Sequence, residues 1–316
     1  MNRSLLVFCS FCLLLSACHH VSDDIEPKIN YAVQDRYLKS LPAPFPPLTE
    51  HEKQQDWGRE YVIGKGFAHQ LDLYQAITAF KRSEFLVPQE SYKRRLEVQY
   101  EILLCYFLAK KYSDVVYTFE RSDLRNADQT FPVYHDLLVI LYESYQETQE
   151  EQKAERILKI LEESDAESAE KLSLSSALMR ADLPTLHQHA ENHSDESYLK
   201  PFLASYEAER KSVSKAQALN AVLPGAGYLY LGQKKSALTA VLLNGLFIAA
   251  SVHFFQHKHL AAGLIFTSFE AGWYFGGIYG GGEEAKYYNE RLYEQKASPM
   301  MNQKGLFPVF MLRYGF

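Results

Sequence analysis

Two stretches in the C-terminal third limit this chain more than anything else in its sequence. Ser236 to Phe255 runs for 20 residues without a charge at neutral His, and His259 to Gly281 runs for 23 with one, Glu270. Each is long enough to cross ~30 Å of hydrocarbon as a helix, and Gln256, His257 and Lys258 make a short polar turn between them. The expectation is a helical membrane hairpin with helices near 236–255 and 259–281. A pair of buried core helices in a water-soluble domain is the alternative. Frequent Gly weighs against it, because Gly disfavours soluble helices. Membrane helices use Gly for close approach, and Gly272-x-x-x-Gly276 and Gly277-x-x-x-Gly281 fit that use. Trp273, Tyr274, Tyr279, Tyr287 and Tyr288 suit an interface belt.

Asn244 and Glu270 are the most polar side chains in the two stretches. One lies thirteen residues before His257 and the other thirteen after it. Straight antiparallel helices, rising ~1.5 Å per residue, would place them at equal depth. An intramembrane carboxyl is a functional candidate by default. The expectation is that the Asn244 amide donates to the Glu270 carboxyl; the alternative is a Glu270 that faces another subunit or a protein-lined cavity.

Just upstream runs Leu223-Pro-Gly-Ala-Gly-Tyr-Leu-Tyr-Leu-Gly-Gln233. Pro224 and Gly225 favour a turn, and Gly227 and Gly232 allow tight backbone passage. As a phosphate loop the segment fails, since no Lys-Ser/Thr follows the glycines at the required spacing and no strand precedes them. It resembles the "LPGxGxxYxG" sequence that leads into small bacterial two-helix membrane modules. The resemblance implies a membrane module over 211–290 and carries no particular biochemical activity.

The region 50–210 is charged and has helical periodicity. Leu73, Ala76, Ile77 and Phe80 recur as Tyr112, Val115, Val116 and Phe119, a shift of 39, and a further 39 gives Ala154 and Leu158. The spacing i, i+3, i+4, i+7 is one face of a helix. Each set follows another apolar-periodic segment, so the unit is a helix pair that buries its stripe on the next pair. Gly64 to Pro88 resembles a tetratricopeptide (TPR) repeat, with a small residue in the first helix, Ala76 and Phe80 in the second, and Pro88 beyond. The second unit departs from that pattern at Val115, the third at Leu158, and the period exceeds the family's 34. A degenerate fourth pair is expected over 168–206. The resemblance implies an all-α array of helix pairs that offers a surface to protein partners and performs no chemistry.

The N-terminus reads as an address. Arg3 precedes an apolar run from Leu5 to Leu15, too short to span a bilayer. Leu15-Ser16-Ala17-Cys18 then resembles the bacterial lipobox, which implies a signal peptide over 1–18 and acylation of Cys18; an ordinary secretory signal or an uncleaved anchor is the alternative. Residues 19–49, with Pro42, Pro44, Pro46 and Pro47, are expected to form a Pro-rich tether. Of the four cysteines only Cys105 lies beyond this region, which excludes a disulfide framework and suits a small buried hydrophobe. The net charge of −6, with cations scattered among acids, gives no footprint for nucleic acid.

Catalytic signatures are missing. No nucleophile elbow, metalloprotease helix or acidic pair in an apolar setting occurs. His187, His189 and His193 have a spacing that a metal tolerates, but no second ligand cluster accompanies them, and a solvated helix face is the better account. No metal and no cofactor are expected. Residues 291–316 form a tail in which Phe310, Leu312, Tyr314 and Phe316 alternate as a short packing strand would.

These readings combine into a non-enzymatic envelope scaffold or assembly factor. Its helical-repeat domain would sit in the periplasm, held by membrane lipid, and would bind protein partners. A component of a transport or secretion apparatus is the runner-up, and a metal-dependent envelope hydrolase using the histidines is the third reading. His19 in place of Asp favours the outer membrane, while apolar spans belong to the inner one, and the spans outweigh the single residue. Two crossings leave Lys258 inside and Lys234, Lys235, Lys286 and Arg291 outside, against the positive-inside tendency. A third, broken crossing over 214–232 would reverse that. The two-crossing form is kept, with 220–232 re-entrant or interfacial. Metabolic labelling with a palmitate analogue should mark the wild type and not Cys18→Ala; equal labelling of both would refute the lipobox.

Overall fold

A computed structural model describes residues 21–29, 35–192 and 197–316. Cys18 and His193 lie outside them. The described residues are helical with no strand, and they divide into two compact units. One holds residues 35–179 and 298–316; the other holds 21–29 and 180–297.

In the first unit a short α1 (Asp35–Ser40) and α2 (Glu50–Gln54) precede seven longer helices. These are α3 (Asp56–His69), α4 (Leu73–Leu86), α5 (Tyr92–Leu108), α6 (Tyr112–Arg121), α7 (Tyr134–Glu147), α8 (Glu151–Ser164) and α9 (Ala166–Met179). Each packs on the next, and α5 also packs on α7 and α7 on α9. Three of the turns share one geometry. Leu71, Lys110 and Gln149 all adopt left-handed φ near +60°. In each, the following N–H returns to a carbonyl five residues back, as Asp72 to Phe67, Lys111 to Tyr106 and Glu150 to Tyr145. These are Schellman-type stops built without glycine.

The cores of α5 and α7 are enclosed on every face, with Leu96 to Cys105 and Asp136 to Tyr145 buried throughout. Helices α6 and α8 bury only one stripe. Phe80 is fully buried over Gly64, where a Cβ would stand 2.6 Å from the ring. Ala76, Val115 and Ala154 are also fully buried, whereas Phe119 and Leu158 are half-buried. Two of the buried polar groups are tied across helices. Lys65 Nζ donates to the enclosed Glu101 carboxylate at 2.9 Å, and Ser83 Oγ donates to the Trp57 carbonyl at 2.8 Å.

The Pro-rich segment is packed rather than free. Phe45 packs edge-on against Tyr100 and tilted against Phe131, and Arg94 donates to the Pro46 and Pro47 carbonyls and to Glu52. That guanidinium holds the Glu52 carboxyl down to about 2. The tail also differs from the expected strand. Residues 291–304 continue a long helix, and Pro308–Met311 form a 3-10 turn, with Pro308 taking the N-terminal position its missing N–H permits. The buried Asp136 carboxylate then accepts the N–H groups of Arg313 and Tyr314 at 2.9–3.1 Å. Tyr37 Oη donates to the Phe310 carbonyl at 3.2 Å, and the Gly315 N–H donates to the Pro42 carbonyl at 3.0 Å. Asp165, half enclosed, also lies below its ordinary value: burial pushes it up, but bonds from Ser168 and Arg313 outweigh that.

The second unit contains α10 (Leu183–Asn192), α11 (Leu199–Glu209), α12 (Val213–Val222), the single-turn α13 (Ala226–Tyr230), α14 (Lys234–Gln256) and α15 (Leu260–Lys304), whose last turns belong to the first unit. Val21 joins a small core with Val213, Ala216, Leu231 and Ala285. Among the described residues one helix, α14, is long and apolar enough to cross a membrane, and 17 % of its most apolar window is buried. Helix α15 is apolar in its first half, polar in its second, and 45 residues long.

Phe80→Ala should cost roughly 3–5 kcal/mol of unfolding free energy in detergent, as for other enclosed aromatics, and Phe119→Ala clearly less. Equal losses would show that the two rings occupy equivalent sites.

Candidate functional site: a polar slot between two apolar helices

The second unit is joined by two buried asparagines. Asn220, near the end of α12, is 2 % exposed. Its Oδ1 accepts the Gly227 N–H at 2.7 Å, and its Nδ2 donates to the Gly277 carbonyl at 2.8 Å. One side chain thus ties α12 to α13 and to α15. Only glycine leaves room for it. A Cβ on Gly227 would lie 2.2 Å from the Ala216 carbonyl oxygen, and one on Gly281 would lie 2.3 Å from Asn220 Nδ2. Tyr274 Oη adds a bond to the Ala221 carbonyl at 2.5 Å. Asn289 grips the start of α12 from α15: its Oδ1 accepts the Lys211 N–H at 2.7 Å, and its Nδ2 donates to the Lys211 carbonyl at 2.8 Å.

The turn residues do the rest. Gly225 has φ +97°, and a Cβ there would meet the Ala237 carbonyl at 2.6 Å, so it seats α13 directly on α14. Gly232, at φ +78°, ends α13. Pro224, Gly225 and Tyr228 form one end of a cavity of about 550 Å³ between α13, α14 and α15. Along α14 it is lined by Ser236, Thr239, Ala240 and Asn244, a single helical stripe. Gly272, Gly276 and Gly277 of α15 line the other side, with Trp273. At the mouth, Gln233 Nε2 donates to Glu284 beside Lys235.

Gly272, Gly276 and Gly277 do not bring the two helices together: a Cβ at any of them would meet nothing within 4 Å. Of the expected contact glycines, Gly281 is the one against a neighbour, Asn220. Nearer the turn, Phe247, Phe254 and Phe266 lie between α14 and α15, with centroids 5.2–6.3 Å apart. Bulk at one end and glycine at the other leave a slot.

The expected bond between Asn244 and Glu270 is not formed. Asn244 Nδ2 donates to the Ala240 carbonyl of its own helix at 2.7 Å, a local bond that an amide makes without crossing to a neighbour. Asn244 Oδ1 and Glu270 Oε2 are both enclosed without a hydrogen-bond partner. Trp273, Tyr279 and Tyr287 are exposed at the polar end of the apolar half of α15, while Tyr288 and Tyr230 carry the Lys211 ammonium over their rings. His187 Nε2 lies 3.0 Å from Glu207, and no group of three metal-ligating side chains occurs among the described residues.

Asn220 and Asn289 escaped the sequence reading. The one signal for Asn220 is a lone amide in the apolar run before Pro224, and Asn289 sits unmarked among charges. No family model matches this sequence, and no curated protein or solved structure matches it.

Adding a methyl tests the joint. Gly227→Ala should lower stability in detergent by about 1–3 kcal/mol through overpacking. Gly272→Ala, in open space on a helix, should leave it equal or raise it by up to ~1 kcal/mol.

Proposed function

We propose that the chain is a non-enzymatic scaffold or assembly factor of the bacterial envelope, with a TPR-like helical unit on the periplasmic side and a two-span hairpin in the inner membrane. The observation that carries the partner-binding part is the surface of α3 and α4. There Phe85 is 88 % exposed and Tyr74 80 %, with Val62, Ile63 and Leu86 also open to solvent. Large apolar side chains on adjoining helices suit a protein segment laid along them. The common turn at Leu71, Lys110 and Gln149, recurring every 39 residues, supports the repeat reading.

For the membrane part, α14 turns Leu238, Leu242 and Leu246 outward, and the first half of α15 does the same with Leu260, Leu264 and Phe269. Apolar residues exposed along two adjoining helices belong in hydrocarbon. The tail supports an even number of crossings. Arg313 and Tyr314 bind Asp136, so the chain returns to the side from which it left. Two spans satisfy this; three do not. The outside Lys286 is ion-paired to Glu26 at 3.6 Å, which reduces the charge that opposes this orientation.

The test uses single cysteines in a Cys105→Ser background of intact cells with a permeable outer membrane. Cysteines at positions 85 and 313 should react with an impermeant maleimide, and one at 258 only after the inner membrane is opened. Uniform labelling would remove the spans. A photo-crosslinker at position 85 should capture discrete protein adducts, and one at position 159 on α8 should not. Identical patterns would remove the docking surface.

A further inference from the structure

A second cavity of the same unit, about 740 Å³, is lined by residues 23–25, the turn before α10, the end of α11 and the start of α12. It shares no lining residue with the slot. Most of the charged groups around it are engaged. Asp24 accepts the Ser22 hydroxyl at 2.7 Å, Asp182 accepts the Thr185 hydroxyl at 2.7 Å, and Glu207 meets His187 at 3.0 Å. The Lys211 ammonium lies over the Tyr230 ring, and Arg180 is also engaged. Arg210 and Asp23 are different: neither side chain has a hydrogen bond or an ion pair among the described residues.

Both of these charges act on one hydroxyl. Tyr206 is 1 % exposed and lines the cavity, and its Oη has no hydrogen-bond partner, yet it is not one of the atoms sealed in the core. Burial pushes this phenol up, Arg210 pulls it down, and Glu290 and Asp23 push it up again. Glu290 is spent on the Glu26 N–H at 3.1 Å. A guanidinium and a carboxylate that reach the same hydroxyl without pairing present opposite charges to one ligand. The backbone beneath them is fixed. Asn289 holds both the N–H and the carbonyl of Lys211, and the Arg210 N–H donates to the Tyr206 carbonyl at 2.9 Å. Ile25, Leu183 and Pro184 give the cavity an apolar wall.

We propose that this cavity binds a free α-amino acid with an apolar side chain. The Arg210 guanidinium takes the carboxylate, for which its planar fork is suited, and the Tyr206 hydroxyl donates to the same group. The Asp23 carboxylate takes the ammonium, and the side chain lies against the apolar wall. A ligand with one charge would leave either Arg210 or Asp23 unmatched, whereas a zwitterion matches both.

The experiment is equilibrium dialysis of full-length protein in mild detergent against labelled L-leucine. The wild type should bind saturably, at one site per chain. N-acetyl-L-leucine, which lacks the ammonium, and L-leucinamide, which lacks the carboxylate, should each compete about tenfold more weakly or worse, as the loss of a charge-assisted bond requires. Arg210→Gln and Asp23→Asn change exposed side chains and should weaken binding by a similar factor, with an unchanged circular dichroism spectrum. Tyr206→Phe should weaken it by about two- to tenfold, and Arg291→Gln, outside the cavity, should not. A wild type without saturable binding at millimolar leucine overturns the proposal. So do analogues that compete as well as leucine, a folded Arg210→Gln protein that binds as tightly, or an equal loss in Arg291→Gln.

Discussion

Two hydrogen bonds from Asn220 decide where the second unit's elements lie. A buried amide is costly unless its groups are matched, and here Oδ1 and Nδ2 are each matched by backbone from a different element. Backbone partners leave little freedom: a side-chain partner could swing, but a glycine N–H and a helix carbonyl cannot. The price is steric. Gly227 and Gly281 must stay without side chains, Gly225 must hold a left-handed φ, and α13 becomes a single turn wedged against α14. The slot follows from this arrangement. Its polar end is set by α13, and its open wall is the glycine face of α15 that begins at Gly277, whose carbonyl Asn220 holds.

The first unit is governed by a different constraint, local stops. Each helix pair turns at a left-handed residue, and three of those residues are Leu, Lys and Gln, to which that region is less hospitable than to Gly. The returning N–H bonds and the packing of each helix on the next hold them there. This explains why the pairs were legible as periodicity while the turn residues were not. An apolar stripe announces itself at i, i+3, i+4 and i+7, but nothing about Lys110 or Gln149 announces a positive φ.

Legibility in the sequence followed the same division. The helical class, the pairing of helices around Ala76, Phe80, Val115 and Ala154, and the apolar character of 236–255 could be read because each depends on residues close in sequence. The Pro-rich stretch and the tail were misjudged because what fixes them is distant. Arg94 reaches back to Pro46, and Asp136 reaches forward to Arg313. The Asn244 pairing was misjudged for a third reason. Equal depth on two helices says nothing of rotation, and a carbonyl four residues back is a nearer partner than a carboxyl on the neighbouring helix. The joint at Asn220 had no periodic signal at all.

The clamp on Asp136 also sets an order of events during synthesis. Its donors lie 177 residues downstream. At roughly 5–20 residues per second that interval is on the order of ten seconds or more. Throughout it α7 exists with an enclosed carboxylate and no donors from the tail, and the apolar residues of α14 and α15 emerge in the same interval. The first unit therefore begins early and closes late. Whatever delays or misplaces the synthesis of α14 and α15 also delays the last bonds of a unit that precedes them in the chain.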